Sequence, residues 1–210
     1  MDSLASPGAV SFDLFGTLVA VDRPADPAAA VADALDARGI DVPEEWESIY
    51  AEPHQEIEPG REYSLVEHVS AVLRDRTDSD FSTAEVHAAV LHAFDSAVRT
   101  REGAVNATDA AAASGPIGIC SNCAVPGLVE RTLSRSALDP DRFEAVVTSV
   151  DCGWRKPHPK SFEAIADAIG TTSPEMVHIG DDPDTDGGAS NPVLLSDRSL
   201  ADLAGTWRRD

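Results

Sequence analysis

The chain has 210 residues, enough for one substantial core or a core with an insert, and 42% of them are hydrophobic, which excludes wholesale disorder. Its 37 acidic residues against 16 basic ones leave a formal net charge of -21. That balance excludes nucleic-acid binding through a basic surface and disfavours docking on anionic lipid.

In chain order, the first predicted element is a buried strand over residues 9–12, a short apolar run that ends at Asp13 and a glycine-containing turn. Residues 22–102 read as an all-helical block. Pro24 and Pro27 introduce a helix over 28–38 that stops at Gly39, residues 52–60 form a polar loop, and helices follow over 65–73 and 83–98. Ser82, with Glu85 three residues on, is a capping box for the last of these. Beyond Gly103 the pattern alternates. Helices are expected over 104–113, 126–134, 161–169 and 200–207, and strands over 116–120, 145–150, 176–179 and 193–195. Alternation of this kind predicts an α/β fold with a doubly wound parallel sheet. The core is assigned to residues 1–21 and 103–210, and a helical cap to residues 22–102. No apolar run reaches membrane-spanning length, and the first ten residues lack the basic and apolar regions of a signal peptide. Cys120, Cys123 and Cys152 cannot all pair with one another, so free thiols in a cytoplasmic protein are expected.

Ligands of parallel sheets bind at the carboxyl ends of the strands. The predicted strand ends carry Asp13, then Ser121 with Asn122, then a loop containing Lys156, then Asp181, Asp182 and Asp186. Carboxylates from two strand ends and an ammonium from a third suit a hard cation such as Mg²⁺ and an anionic substrate. Lys156 has added weight because the chain uses Arg fourteen times and Lys only twice. A compact ammonium enters a crowded carboxylate site where a planar guanidinium does not. Abundant acid with scarce lysine also suggests a halophilic protein, since concentrated salt screens surface self-repulsion.

These segments resemble the motifs of the haloacid dehalogenase superfamily. Phe12-Asp13-Leu14-Phe15-Gly16-Thr17-Leu18 resembles its first motif and Ile119-Cys120-Ser121-Asn122 its second. Gly153-Trp154-Arg155-Lys156-Pro157-His158-Pro159 resembles the third, and Gly180-Asp181-Asp182-Pro183-Asp184-Thr185-Asp186 the fourth. They stand in the family order. The resemblance implies a hydrolase in which Asp13 is the nucleophile and forms an aspartyl-phosphate. Mg²⁺ would lie between Asp13, the backbone carbonyl of Phe15 and Asp181, with Asp182 or Asp186 completing the shell. Ser121, Asn122 and Lys156 would bind the phosphoryl group of a small phosphorylated metabolite, and the cap would limit substrate size.

Two departures from the family pattern stand out. Phosphatases of the family carry a second Asp two residues after the nucleophile, as general acid and base; here that position is Phe15. An aromatic there resembles the 2-haloacid dehalogenases, whose leaving halide needs no proton. The acids of the fourth motif point back to phosphoryl transfer. A dehalogenase, or a weakened enzyme retained as a binding protein, is the alternative. His54, Glu56 and His68 of the cap are candidates to replace the missing acid. The second departure is the segment 187–192, which runs almost directly into the last strand where the family places a longer helical stretch.

Other features carry less. Cys120 and Cys123 form a CxxC, but Cys120 lies in a strand and is expected to face the core. His87 and His92 do not share a helix face. His178 is expected to be a satisfied core residue, Lys160 a solvated residue at a helix start, and Trp154 either a floor for the site or a loop anchor.

Overall fold

In the computed structural model, which describes residues 8–54 and 56–207, the order of elements follows the alternation of the sequence. The strands β1 (Ala9–Phe12), β4 (Ile117–Ser121), β5 (Ala145–Thr148), β6 (Met176–Gly180) and β7 (Pro192–Leu194) form one sheet in the order β5-β4-β1-β6-β7. Every pairing in it is parallel. β1 is central because all four of its residues are buried; Phe12 lies level with Ile119 on one side and Ile179 on the other. That register brings the residues following β1, β4 and β6 to one edge of the sheet.

Side-chain alternation along β1 divides the core into two layers. Val10 and Phe12 join Ile117, Ile119 and Ile179 in the larger cluster, which includes the buried faces of α5 (Ala104–Ala112) and α9 (Leu200–Trp207). Ala9 turns to the opposite face with Cys120 and Met176, against Phe162, Ile165 and Ile169 from α8 (Pro159–Ala168) and its end. Gly118 permits that approach, because a Cβ there would lie 2.6 Å from the Ile165 Cδ1. The remaining core helices are α6 (Leu128–Ser134) and the single turn α7 (Ser149–Cys152).

Between β1 and β4 runs a segment that the sequence presents only as helices. It enters and leaves through a two-stranded antiparallel ribbon, β2 (Val19–Val21) with β3 (Val98–Thr100). Inside it lie α1 (Pro27–Asp36), α2 (Trp46–Ala51), α3 (Leu65–Arg76) and α4 (Thr83–Phe94). The Asp26 carboxylate caps α1, with Pro27 as first helical residue. Ser82 and Glu85 form the expected capping box. The fourth helix ends at Phe94 rather than 98, because Asp95 turns away and Val98 enters the ribbon. Likewise β5 stops at Thr148, whose hydroxyl starts α7 in a reciprocal cap with Asp151.

The helical insert is tied to the core beside the lysine loop. The Arg155 N–H donates to the Gly60 carbonyl at 2.8 Å, and the Glu62 N–H to that of Gly153 at 3.0 Å. The buried Glu62 carboxylate also accepts from the Ser149 hydroxyl at 2.8 Å and meets the Arg155 guanidinium at 3.2 Å.

No helix forms between β6 and β7; a short 3₁₀ turn, Asp186–Gly188, replaces it. The shortened segment still delivers β7 to its place, where Ile179 pairs with Val193 and Gly180 with Leu194. Among the described residues no helix is long and apolar enough to cross a membrane.

Candidate active site

Asp13 follows β1 directly, and its N–H donates to the Ile179 carbonyl at 2.8 Å. Its carboxylate meets the ammonium of Lys156, whose Nζ is 2.9 Å from Asp13 Oδ1 and 2.6 Å from Asp186 Oδ1. All three groups are buried. Burial opposes charge on Lys156, but the carboxylates of Asp13 and Asp186 outweigh it and hold the ammonium above the usual lysine range. Burial raises the Asp13 carboxyl, and Lys156 offsets this only in part while Asp186 adds to it. Asp186 is different. Burial is outweighed there by the hydrogen bond from His178 and the charge of Lys156, so its carboxyl lies well below the usual range.

His178 is more than a core residue. Its Nε2 lies 3.1 Å from Asp186 Oδ1 and its Nδ1 2.8 Å from Ser11 Oγ. An ionised carboxylate only accepts, so Nε2 carries the proton and Nδ1 accepts from the serine. Burial, helped by Lys156, pushes the imidazole down to about 4, so it is neutral at pH 7. Asp186 Oδ2 in turn accepts from the Asp182 N–H at 3.1 Å.

Asp181 is held by Thr17, whose hydroxyl donates to Oδ1 at 2.7 Å. Gly16 makes room for it. Its φ of +98° suits glycine, and a Cβ there would fall 2.5 Å from Asp181 Oδ2. Gly180 does the same for Asp186, since a Cβ at that position would lie 2.0 Å from the Asp186 Cγ.

Oxygens from Asp13, Asp181 and Asp186 lie within 4.8 Å of one another. Asp13 and Asp186 share the Lys156 ammonium and Asp181 lies beside them, a set of hard oxygen ligands that suits a divalent cation. Ser121 suits an anion beside it: its hydroxyl is buried and has no hydrogen-bond partner among the described residues. A pocket of about 410 Å³ joins these groups, with Phe15, Arg23, Asn122 and Arg155 also on its wall.

Other expected residues stand around this cluster or apart from it. Asp182 lines the pocket but stands outside the cluster of Asp13, Asp181 and Asp186; its side chain is exposed and accepts from the Asp184 N–H at 2.9 Å. Asn122 lines the pocket, but its amide is engaged by the lysine loop. Its Oδ1 accepts from the Lys156 N–H at 2.8 Å and its Nδ2 donates to the Lys156 carbonyl at 3.0 Å. Its side chain therefore holds the backbone of Lys156 in place. His54, Glu56 and His68 are absent from the wall of the acidic pocket. His54 and His68 meet each other at 3.1 Å, and His68 also bonds the Tyr50 carbonyl.

Trp154 is a buried loop anchor. His158 stacks on it at 4.0 Å between centroids, and the cations of Arg61 and Lys160 lie 4.5 and 4.2 Å from its ring centre. Lys160 is thus exposed but engaged. All three cysteines are free thiols. Burial pushes Cys120 up to about 12 and Cys123 up to about 11, so neither offers a thiolate.

Sequence reasoning missed Thr17, the role of His178, and the two arginines on the wall. Thr17 had a signal, since it follows the nucleophile's turn. Arg23 and Arg155 had none beyond their charge.

The family model of the haloacid dehalogenase-like hydrolases matches residues 7–190. A search of curated proteins gave no match. Among solved structures, a 2-haloacid dehalogenase from Pseudomonas syringae pv. Tomato DC3000 superposes with a TM-score of 0.66 at 19% identity, over 95% of this chain and 97% of that one. CbbY from Rhodobacter sphaeroides, in complex with phosphate, gives 0.55 at 16% identity, over 95% and 83%. An enzyme from Bacteroides thetaiotaomicron, in complex with magnesium and inorganic phosphate, gives 0.56 at 13% identity, over 90% and 93%. At these identities the likeness shows the shared fold.

Proposed function

Since this chain belongs to the haloacid dehalogenase-like hydrolases, we propose that it hydrolyses the phosphoryl bond of a small phosphorylated metabolite, with Mg²⁺ as cofactor and Asp13 as nucleophile. One observation carries the reading: oxygens of three carboxylates converge within 4.8 Å, and Lys156 pairs with two of them, Asp13 and Asp186. A cation among these oxygens would lower the repulsion between the cluster and an anionic substrate.

Asp13, the Phe15 carbonyl and Asp181 would hold the ion, and Asp186 would complete its surroundings while anchoring Lys156. When bound, the ion offsets the repulsion between a carboxylate nucleophile and a phosphoryl dianion. The protein's own groups do the rest. An Asp13 oxygen attacks phosphorus, the bond from phosphorus to the leaving oxygen breaks, and its electron pair stays on that oxygen. Lys156 orients Asp13 and offsets charge on the transferring group. The Ser121 hydroxyl, lacking any other partner, donates to a phosphoryl oxygen. Water then attacks phosphorus, the aspartyl-phosphate bond breaks, Asp13 is regenerated, and the proton of the water leaves with the phosphate.

Phe15 offers no proton to the leaving oxygen. The substrates served best are therefore those whose leaving group departs unprotonated, as the carboxylate of an acyl phosphate does. Residues 22–102 act as the cap that restricts the site to small molecules. The net charge of -21 argues against nucleic acid and anionic membrane as partners. The three free thiols fit a reducing cytoplasm. The same acidity suits a saline interior, and a melting temperature that climbs between about 0.1 and 1 M KCl would support it.

The test is phosphate release from phosphomonoesters and acyl phosphates in molar KCl, with Mg²⁺ or with EDTA. Metal-dependent release that disappears in Asp13→Asn is the expected result. Phe15 specifically favours a second reading, 2-haloacid dehalogenation. Halide release that persists in EDTA would establish that reaction and displace the first.

A further inference from the structure

A second cavity, of about 220 Å³, lies against the acidic pocket where the helical insert meets the core. The two share three wall residues, Phe15, Arg23 and Asn122. Phe15 is thus a partition between them, at the position where a proton donor was expected.

The walls of this cavity differ from those of the acidic pocket. From the insert come Leu65 and Phe94, and from the core Val125 and Leu128. Several of its polar side chains are engaged elsewhere. Asp95 is paired with both Arg131 and Arg135. The Thr132 hydroxyl donates to the Leu128 carbonyl at 2.7 Å, and the Cys123 thiol meets the Val125 carbonyl at 3.5 Å. A space of this kind rewards burial of an apolar group and offers little to a polar one. Its size is sufficient, since a cavity of about 150 Å³ accommodates benzene.

We infer that this cavity holds the leaving group, and that the substrate is a phosphoryl compound with an apolar organic body of aryl or medium alkyl size, most simply an acyl phosphate. This rests on the phosphoryl-transfer reading above and names its substrate class. The phosphoryl group would lie with Asp13, Ser121 and Lys156, and the organic body would pass Phe15 into the apolar space. Phe15 then contributes contact area in place of a proton. Arg23 borders both spaces, where its guanidinium can face the charge that develops on the leaving oxygen. In the balanced step the carboxylate departs with the electrons of the broken bond to phosphorus and needs no proton.

The test separates binding from turnover. Titration calorimetry on the Mg²⁺-loaded protein compares phenylphosphonate with methylphosphonate, neither of which can be hydrolysed. Phenylphosphonate is expected to bind about tenfold more tightly or better. Leu128→Trp, which fills the cavity, should abolish that preference. Equal affinities, no binding of either ligand, or a preference that survives the filled cavity would overturn the inference. The comparison on the unaltered protein decides the matter even if the variant fails to fold. Phosphate release from benzoyl phosphate is read separately. Preferential phenylphosphonate binding without any release would sink the phosphoryl-transfer reading and leave the apolar compartment standing.

Discussion

On one side of Phe15 the wall carries Asp13, Asp181 and Asp186 with the Lys156 ammonium; on the other it carries Leu65, Phe94, Val125 and Leu128. In the apolar space the Asp95 carboxylate is matched by two arginines. In the acidic one, charge is concentrated and left in excess, while a network of Thr17, His178, Asn122 and the Asp182 N–H fixes its groups in place. Neighbouring volumes of similar origin thus end with opposite chemistry. Reactivity resides where polar groups are held but not neutralised, and selectivity where they are neutralised and set aside.

Substitutions can break that contrast in graded steps. Asp13→Asn should lower phosphate release about 10⁵-fold, as removal of a nucleophile does, while phenylphosphonate still binds. Turnover and calorimetry on the same preparation would check both halves. Phe15→Asp should move the partition into the acidic side. Hydrolysis of alkyl phosphates should rise about 10²-fold, as a positioned acid provides, and the preference for phenylphosphonate should shrink. A kinetic series across leaving groups of rising basicity would reveal it as a flatter dependence.

Gly180→Ala attacks the rigidity of the charged side. Its Cβ would meet the Asp186 Cγ at 2.0 Å, so we expect about 2 kcal/mol lost in denaturant unfolding, as overpacking costs. Acid should act more gently. The His178 imidazole is lowered from 6.5 to about 4 by burial, so between those values the unfolded chain binds a proton that the folded one refuses. Stability is therefore full above pH 6.5 and declines as pH falls through that window, by about 1 kcal/mol for the first unit. Melting curves of the metal-free protein should show this slope, and His178→Gln should flatten it.

Much of the charged side was legible because each of its groups follows a short apolar run. Asp13, Ser121 and Asp181 come directly after β1, at the end of β4 and after β6, and a parallel sheet brings such positions together. The details that escaped depend on pairings between segments or on elements too short to carry a signal. The ribbon joins Val19 to Thr100, and either strand alone is too short to carry a periodic signal. Helix α2 has six residues and no side-chain cap. The Asn122 amide engages the Lys156 backbone at both ends, a pairing across 34 residues that the sequence does not display. His178 reads as core until Asp186, eight residues away, returns to it through the 3₁₀ turn. The early end of β5 was recoverable, since Thr148 and Asp151 have cap spacing.

The tie between residues 60–62 and 153–155 bears on how such a chain can be recombined. Its two backbone hydrogen bonds and the buried Glu62 lie directly beside Lys156, so the loop that presents the ammonium is partly built by the insert. An insert grafted from another protein would have to bring its own short edge and acidic side chain to the same place. Without them, the loop would lose its outer support even if the new helices folded well. The boundary between the two parts is therefore a shared wall, and exchange of modules across it is constrained at that point.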